Sequence, residues 1–430
     1  MNEFLNRKLV IDTHCHFFNL DHIPLYAFLE RVNLNFAKIA SLFIDLNKLL
    51  KEYRKFIVYF ESEVQSNIQM VCEEMTAACE NAPQLTGKAK ILTPLVMDFE
   101  KAQKHETLNN QMTRLQNSIH AKSAYLEAND IRIFPFVGID LRRFNKIKAE
   151  NVDIRIRSLI SDYVDDFDTW CGRRENLDLN DGDIIGIKLY PPLGFDPYPD
   201  EPNNTIRERY LAVYKGFMAL GLPLTVHCQK ESYKLVENKI KNKFTTPKNW
   251  EKILGTDGLS NLRLNLAHFG GEDQVLLTLN WTGDDHYEND PEPITYDSIN
   301  PGSWTWTIIK LLKKHENTFS DISAFNFKDR KAVFSLGWLL CLDRSGEFDE
   351  LGDYRLEDKL LWGSDYPMIL SNFNTYDEMM KGFVSAMDIG NLSYENYETP
   401  REKYGENLPN QADLIEKLTE KNPKKFLFGL

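Results

Sequence analysis

The chain has 430 residues, of which 42% are hydrophobic and 27% are charged, so it carries enough apolar surface for a large folded core. Its formal net charge of −13 argues against nucleic acid or an anionic membrane surface as a partner, because both select clustered lysine and arginine. The sequence has no uninterrupted apolar stretch near its start and no run approaching the roughly 18 apolar residues of a membrane span, which predicts a cytoplasmic protein. Its cysteines include no CxxC pair and are expected to be reduced thiols.

Short apolar runs rich in valine, isoleucine, leucine and phenylalanine recur along the chain between longer amphipathic stretches. Such runs are typical of strands that are buried on both faces of a parallel sheet. The eight predicted strands are 8–17, 90–98, 132–139, 183–190, 222–229, 262–269, 318–324 and 359–366. Every gap between them exceeds the dozen or so residues that a parallel crossover needs, so the sequence predicts an α/β fold, a (β/α)8 TIM barrel formed by residues 1–430 as a single domain. An open doubly wound sheet is the alternative, but no GxGxxG follows the first strand.

Three segments are longer than the minimal connections of a barrel. Residues 20–88 contain helical patterns of apolar residues and are expected to form an inserted helical segment after the first strand. Residues 281–303 are acidic and rich in proline, glycine and asparagine, which makes them a candidate lid loop, and residues 392–430 form a C-terminal extension that ends in a helix. All three could cover the mouth of a barrel, and for the last two a solvated surface excursion is the alternative.

Four histidines and one aspartate stand where predicted strands end. His14 and His16 lie two residues apart near the end of the first strand, so strand alternation points both imidazoles to one side. His227, His268 and Asp365 stand at the ends of the fifth, sixth and eighth strands. Since the carboxyl ends of the strands meet at one mouth of a barrel, these side chains are expected to converge on a metal site. For each residue alone, the alternative is a polar side chain satisfied by structural hydrogen bonds.

The motifs IDTHCH, GIKLYPP, VHC, AHFGG and WGSDYP, together with the terminal NPKKFLFGL, resemble those of the amidohydrolase superfamily. The resemblance is closest to its amidohydrolase-related branch of single-metal hydrolases and non-oxidative decarboxylases. It extends from the first strand to the last residue, except in residues 20–88 and 281–303. It implies that His14, His16, His227 and Asp365 bind one divalent metal ion, most often Zn²⁺. It also implies that His268 contacts the reacting water or the substrate.

Zinc with one open coordination position lowers the pKa of a bound water to about 7, which provides a nucleophile at neutral pH. Asp365 could accept the proton of this water and His268 could polarise a substrate carbonyl, which predicts hydrolysis of an amide, ester or lactone. The same ligands would also serve a decarboxylase, in which the metal chelates the substrate carboxylate and Asp365 or His268 protonates carbon. A catalytically inactive barrel that binds a ligand is the third alternative.

Three further residues are candidates for binding the substrate. Lys188 has the parity to point inward on the fourth strand, as a structural or substrate-binding ammonium or, alternatively, as a carbamylated bridge between two metal ions. Arg142 follows the third strand and could grip an anionic substrate, and Tyr190 could form part of an aromatic wall; a surface role is the alternative for both. The expected partner is a small-molecule substrate, and a homo-oligomer is left open.

Overall fold

The protein has a mixed α/β structure with parallel strands, as the sequence predicts. This computed structural model describes residues 2–17, 58–59, 62–100, 107–200, 204–230, 236–280, 294–395, 397–405 and 407–430. Residues 20–57 of the expected helical insertion therefore lie outside the described residues, as does much of the candidate lid loop.

The strands of the described residues pair in parallel within two sheets. The strands are β1 (Leu9–Cys15), β2 (Ala89–Pro94), β3 (Ile131–Ile133), β4 (Phe136–Gly138), β5 (Gly186–Leu189), β6 (Leu224–Gln229), β7 (Leu264–Gly270), β8 (Thr318–Asp321) and β9 (Leu360–Leu361). One sheet has the order β1-β2-β3 and the other the order β4-β5-β6-β7-β8-β9. Every residue of β1, β6 and β7 is buried, as expected of strands that are covered on both faces.

The prediction of one continuous third strand is wrong, because the chain forms β3 and β4 there instead. Pro135 lies between them and has no backbone N–H to donate to a neighbouring strand, which interrupts the ladder. β3 pairs with β2 and β4 pairs with β5, while an isolated parallel bridge joins Leu95, just after β2, to Phe136 of β4. The two short strands thus stand where the single strand was expected.

The last strand is also shorter than predicted. β9 ends at Leu361, yet the chain continues alongside β1, since the Thr13 amide donates to the Trp362 carbonyl at 3.1 Å and the His16 amide to the Tyr366 carbonyl at 2.8 Å. Asp365 has a φ of 54°, in the left-handed region that side chains other than glycine rarely adopt, and this breaks the extended conformation. A parallel bridge between Cys15 and Tyr366 follows this break.

Helices fill most of the connections between the strands. They are α1 (Asn2–Leu5), α2 (Val64–Asn81), α3 (Leu108–His120), α4 (Ser123–Ala128), α5 (Val152–Ser161), α6 (Phe167–Glu175), α7 (Asn204–Ala219), α8 (Asn238–Thr245), α9 (Pro247–Leu254), α10 (Glu272–Thr278), α11 (Trp304–Lys314), α12 (Arg330–Arg344), α13 (Tyr376–Ala386), α14 (Pro400–Tyr404), α15 (Gln411–Glu416) and α16 (Asn422–Phe428). Within the described part of the chain, none of them is long and apolar enough to cross a membrane.

The apolar stripe that predicts a helix within residues 20–88 is confirmed by α2. Val64, Ile68, Val71, Met75 and Cys79 are all buried on one face of this helix. Their spacing of three or four residues follows the 3.6-residue period of an α-helix, so a single face supplies the contact with the core.

Candidate metal centre

The five predicted metal-site residues are buried together at the carboxyl ends of the strands. Asp365 Oδ1 lies 3.5 Å from His14 Nε2 and 3.2 Å from His16 Nε2. On the other side of the cluster, His227 Nδ1 lies 3.1 Å from His268 Nε2, and the rings of His14 and His268 have centroids 4.7 Å apart. The convergence expected from strand order is therefore present in the described structure.

Among the described residues, two overlapping groups have ligand atoms close enough to share a metal ion. One consists of His14, His16 and Asp365, and the other of His14, His268 and Asp321. His227 belongs to neither group, although its ring is adjacent to that of His268, with centroids 4.8 Å apart. The two groups differ in how far hydrogen bonds already satisfy their atoms.

Hydrogen bonds at Nδ1 orient the imidazoles of the first group. His14 Nδ1 lies 3.0 Å from Asp321 Oδ2, and His16 Nδ1 lies 2.8 Å from the backbone carbonyl oxygen of Leu95. A carbonyl oxygen and an ionised carboxylate can only accept, so in both rings Nδ1 carries the hydrogen and donates it. The lone pair of a neutral imidazole then lies on Nε2, which in both residues faces Asp365. A histidine that donates one ring N–H to a carboxylate or a carbonyl is the usual arrangement of a metal ligand.

Charge makes this arrangement unfavourable without a cation. Burial, and secondarily the ammonium of Lys188, lower the pKa of His14, which favours the neutral ring. Burial opposes ionisation of Asp365, but the hydrogen bond from His16, and any neighbouring imidazole that carries a proton, lower its pKa below the usual range. With Nδ1 of each ring bonded elsewhere, a neutral ring at His14 or His16 would present the lone pair of Nε2 to this buried carboxylate, which would be repulsive. A divalent cation between these atoms would turn the repulsion into coordination, and this donor set of imidazoles and carboxylate fits Zn²⁺.

Asp321 at the end of β8 was not singled out from the sequence. Its carboxylate accepts from Asn265 Nδ2 at 2.7 Å, from the His268 amide at 3.0 Å and from the Ser323 amide at 3.1 Å, besides His14 and the Ser323 hydroxyl. These donors satisfy the second group by hydrogen bonds alone, so we assign Asp321 to holding His14. Asp321 lies in a predicted buried strand near its carboxyl end, and the rule that identified Asp365 would also have found it.

His268 connects the hydrogen-bond network to His227. Its Nδ1 lies 2.9 Å from Ser323 Oγ, which donates its own proton to Asp321, so Nδ1 is the donor. His268 Nε2 then accepts from His227 Nδ1, which places the lone pair of His227 on its Nε2. Burial, with a secondary contribution from His14, lowers the pKa of His268 to about 3, so this ring is neutral at neutral pH. The backbone of His268 has a φ of 71°, a strained conformation of the kind found at functional sites.

The predicted substrate-binding residues differ in their distance from this cluster. Lys188 on β5 is buried, and its positive charge is close enough to lower the pKa of His14 and of His268. The centroids of the Tyr190 and His227 rings are 4.8 Å apart. Arg142 instead pairs with Asp140 at 2.5 Å and donates to the Leu193 carbonyl at 3.1 Å. Among the described residues, no hydrogen bond or ion pair joins Arg142 to the histidines.

The chain just after β9 approaches β1 so closely that position 363 requires a glycine. A Cβ on Gly363 would lie 2.7 Å from the His14 Cβ and 3.2 Å from the Ser323 Cβ. We therefore expect Gly363→Ala to lower the free energy of unfolding by about 1–3 kcal/mol, as overpacking does, and to weaken metal binding by displacing His14. Urea unfolding and metal titration would measure both effects.

A matched control is Gly172→Ala in α6, where an added Cβ has no neighbour within 4 Å. Alanine favours a helix over glycine by about 1 kcal/mol, so this variant should be at least as stable as wild type. Equal metal affinity in the wild type and the Gly363→Ala variant would contradict the close packing of His14 against the last strand.

Lys188 is the residue on which the number of metal ions depends. Burial lowers its pKa to about 8, against the opposing attraction of Asp321 and Asp365, so a fraction of the amine is neutral at neutral pH. We expect a single-metal site, in which case Lys188→Met leaves the metal content unchanged and bicarbonate does not alter activity. Elemental analysis of both proteins tests this, and two ions per chain that fall to one in the variant would establish a carbamylated bridge.

Comparison with known proteins adds no relative: no protein-family model matches the chain, and a search of curated proteins finds no match.

Proposed function

We propose that this protein is a metal-dependent hydrolase of an amide, ester or lactone, in the amidohydrolase-related branch of the amidohydrolase superfamily. In this proposal His14 and His16 hold one divalent ion through Nε2, and Asp365 holds it through a carboxylate oxygen. The donor set of imidazoles and a carboxylate suits Zn²⁺. His227 is the fourth ligand. The observation that carries the proposal is the convergence of His14 Nε2 and His16 Nε2 on one oxygen of Asp365, at 3.5 and 3.2 Å, while Nδ1 of each ring is hydrogen-bonded elsewhere.

The proposed fold behind this site is a closed eight-stranded (β/α)8 barrel. In support, the bridge between Leu95 and Phe136 joins the chain just after β2 to β4, and the bridge between Cys15 and Tyr366 joins β1 to the chain after β9. With β3 and β4 counted as one interrupted strand, these links are the ones that a closed circle of eight parallel strands would need. Catalytic residues of such barrels lie at the carboxyl ends of the strands, where His227 and His268 stand.

A bound divalent ion would supply Lewis-acid polarisation and a water acidic enough to react at neutral pH. The chain's own residues then divide the remaining work. Asp365 is ionised and accepts the proton of the attacking water, which it passes to the leaving group. Burial keeps His268 neutral, so it is not an imidazolium acid, and in this proposal its hydrogen bond with the water or the substrate replaces the one that its Nε2 makes with His227 Nδ1. Lys188 brings a buried amine near the site that can bind an oxygen of the substrate.

The proposal is tested by incubating zinc-supplemented protein with a panel of small amides, esters, lactones and carboxylic acids. Hydrolysis releases an acid without carbon dioxide, and it should be lost in the chelator-treated protein and restored by Zn²⁺. Release of carbon dioxide from a carboxylic acid would reassign the site to a non-oxidative decarboxylase, because that reaction can use the same ligands.

A further inference from the structure

A second cavity lies at the opposite end of the strands from the histidines. Its volume is about 550 Å³, and its wall includes Ile185 and Arg263, directly before β5 and β7, and Gly221, three positions before β6. Gly221 precedes His227 by six positions, which corresponds to at most about 20 Å at the rise of an extended strand. The cavity is therefore distinct from the candidate metal centre.

Two guanidinium groups in the cavity wall converge on one backbone carbonyl. Arg174 Nη2 donates to the Gly221 carbonyl at 2.7 Å, and Arg263 Nη2 donates to the same oxygen. Arg174 also donates to the Ile185 carbonyl at 2.8 Å, and Arg263 donates to the Leu427 carbonyl at 3.2 Å near the end of α16. These bonds hold both positive charges side by side in fixed positions.

The charge of this pair is not balanced within the described structure. Asp168 and Glu175 also line the cavity, but no carboxylate among the described residues lies within 4 Å of the Arg174 or Arg263 guanidinium. Arg174 Nε is buried and has no hydrogen-bond partner among the described residues. Burial, and then repulsion from Arg263, lower the pKa of Arg174 to about 9. The carbonyl contacts explain where the arginines lie, but neutral acceptors leave two like charges adjacent to each other.

The rest of the wall combines apolar side chains with the charged side chains of Arg157, Asp168 and Glu175. Side chains of Phe167, Leu179, Met218, Leu220 and Phe428 line it, and the half-exposed Arg157 adds a third positive charge that pairs with Asp153 at 3.0 Å. A cavity of this size and mixed character is typical of a site for a small organic molecule, in which few polar groups fix the orientation.

We propose that this cavity binds a small organic anion, with a carboxylate or phosphate head group at Arg174 and Arg263 and an apolar body against the remaining wall. Guanidinium groups suit both head groups, because their planar N–H pairs form charge-assisted hydrogen bonds with two oxygens. The bound anion would neutralise the two adjacent charges. Because the cavity does not include the histidines, this site does not depend on the proposed hydrolase function.

The test compares three probes that share an apolar body: hexanoate, hexyl phosphate and neutral hexanol. At constant ionic strength and a probe concentration about ten times Kd, an anionic probe should raise the Tm of wild-type protein by about 1–2 °C, and hexanol should not. Calorimetric titration then gives Kd for each anion, and the tighter of the two identifies the preferred head group. Equal behaviour of the anions and hexanol would overturn the proposal.

Variants locate the binding. Arg263→Gln should weaken the binding of the anion about 10- to 100-fold, as loss of a charge-assisted hydrogen bond does, whereas Arg330→Gln removes an exposed arginine outside the cavity and should have no effect. If Arg263→Gln fails to fold, Ala219→Trp keeps both arginines and fills the cavity from its exposed wall, and it should abolish binding.

Binding at the metal centre is separated by a third variant. His16→Ala should bind the probe as tightly as wild type, since His16 lies at the other end of the strands. Loss of binding in this variant, with retention in Arg263→Gln, would place the anion at the metal centre and overturn the proposal without affecting the hydrolase function.

Discussion

Replacement of His14 or His16 with alanine is expected to leave purified protein without metal, whereas wild-type protein carries close to one divalent ion per chain. Each substitution removes an Nε2 that faces Asp365, and loss of a residue that merely supports a ligand already costs about 10- to 100-fold in metal affinity. Loss of a ligand itself should cost more. Elemental analysis after chelator-free purification in zinc-supplemented buffer measures the content.

The same measurement on His227→Ala distinguishes a four-ligand from a three-ligand site. If the resemblance is correct, this variant also loses its metal, although His227 lies outside both three-residue groups. His120→Ala is the matched control, because His120 is exposed and bonds only the Asp181 carbonyl at 3.1 Å among the described residues. Wild-type protein that contains no metal after supplementation would contradict the proposed metal centre as a whole.

Asp365→Asn should reduce kcat by about 10²- to 10⁴-fold while the protein keeps most of its metal. The neutral amide still offers an oxygen to a cation but cannot accept a proton at neutral pH, and this is the range that general-base catalysis contributes. Steady-state kinetics with a substrate identified by the panel, together with elemental analysis, gives both quantities. Metal retention at near wild-type kcat would show that Asp365 is not the base.

His268→Asn is the comparison for this variant. His268 is assigned to the water or the substrate, so its loss should also lower kcat and leave the metal in place. Because His268 Nε2 accepts from His227 Nδ1, this variant also tests whether His268 orients a metal ligand. A drop in metal content in His268→Asn, but not in Asp365→Asn, would assign His268 to positioning His227.

Much of the candidate site follows from strand order alone. An apolar run that ends in histidine or aspartate predicts a polar side chain at the carboxyl end of a buried strand, and parallel strands bring such ends together. This reasoning located His14, His16, His227, His268 and Asp365, which the structure places in one buried cluster. It did not locate Asp321, although Asp321 lies near the carboxyl end of the predicted strand 318–324 and the same rule applies to it.

Other features could not be predicted because they depend on contacts distant in sequence. The division of the third strand follows from Pro135, but the closeness of the edges at Leu95 and Phe136 is a tertiary contact. Arg142 is a candidate substrate-binding residue, and its pairing with Asp140 depends on a turn that apolar periodicity does not describe. Likewise, Arg174 and Arg263 are 89 positions apart in the sequence and only the packing of the strand starts makes them neighbours.

The sequence by itself determined the parallel α/β class and the identity of the clustered histidines, because burial of an apolar strand is a local property that its own residues carry. Only the tertiary structure decided which ring nitrogen of each histidine is committed to a hydrogen bond. His14 donates to Asp321 and His16 to the Leu95 carbonyl, across 307 and 79 positions of the chain respectively. Hydrogen bonds of such range are set by the packing of whole strands, and they leave both Nε2 atoms facing Asp365.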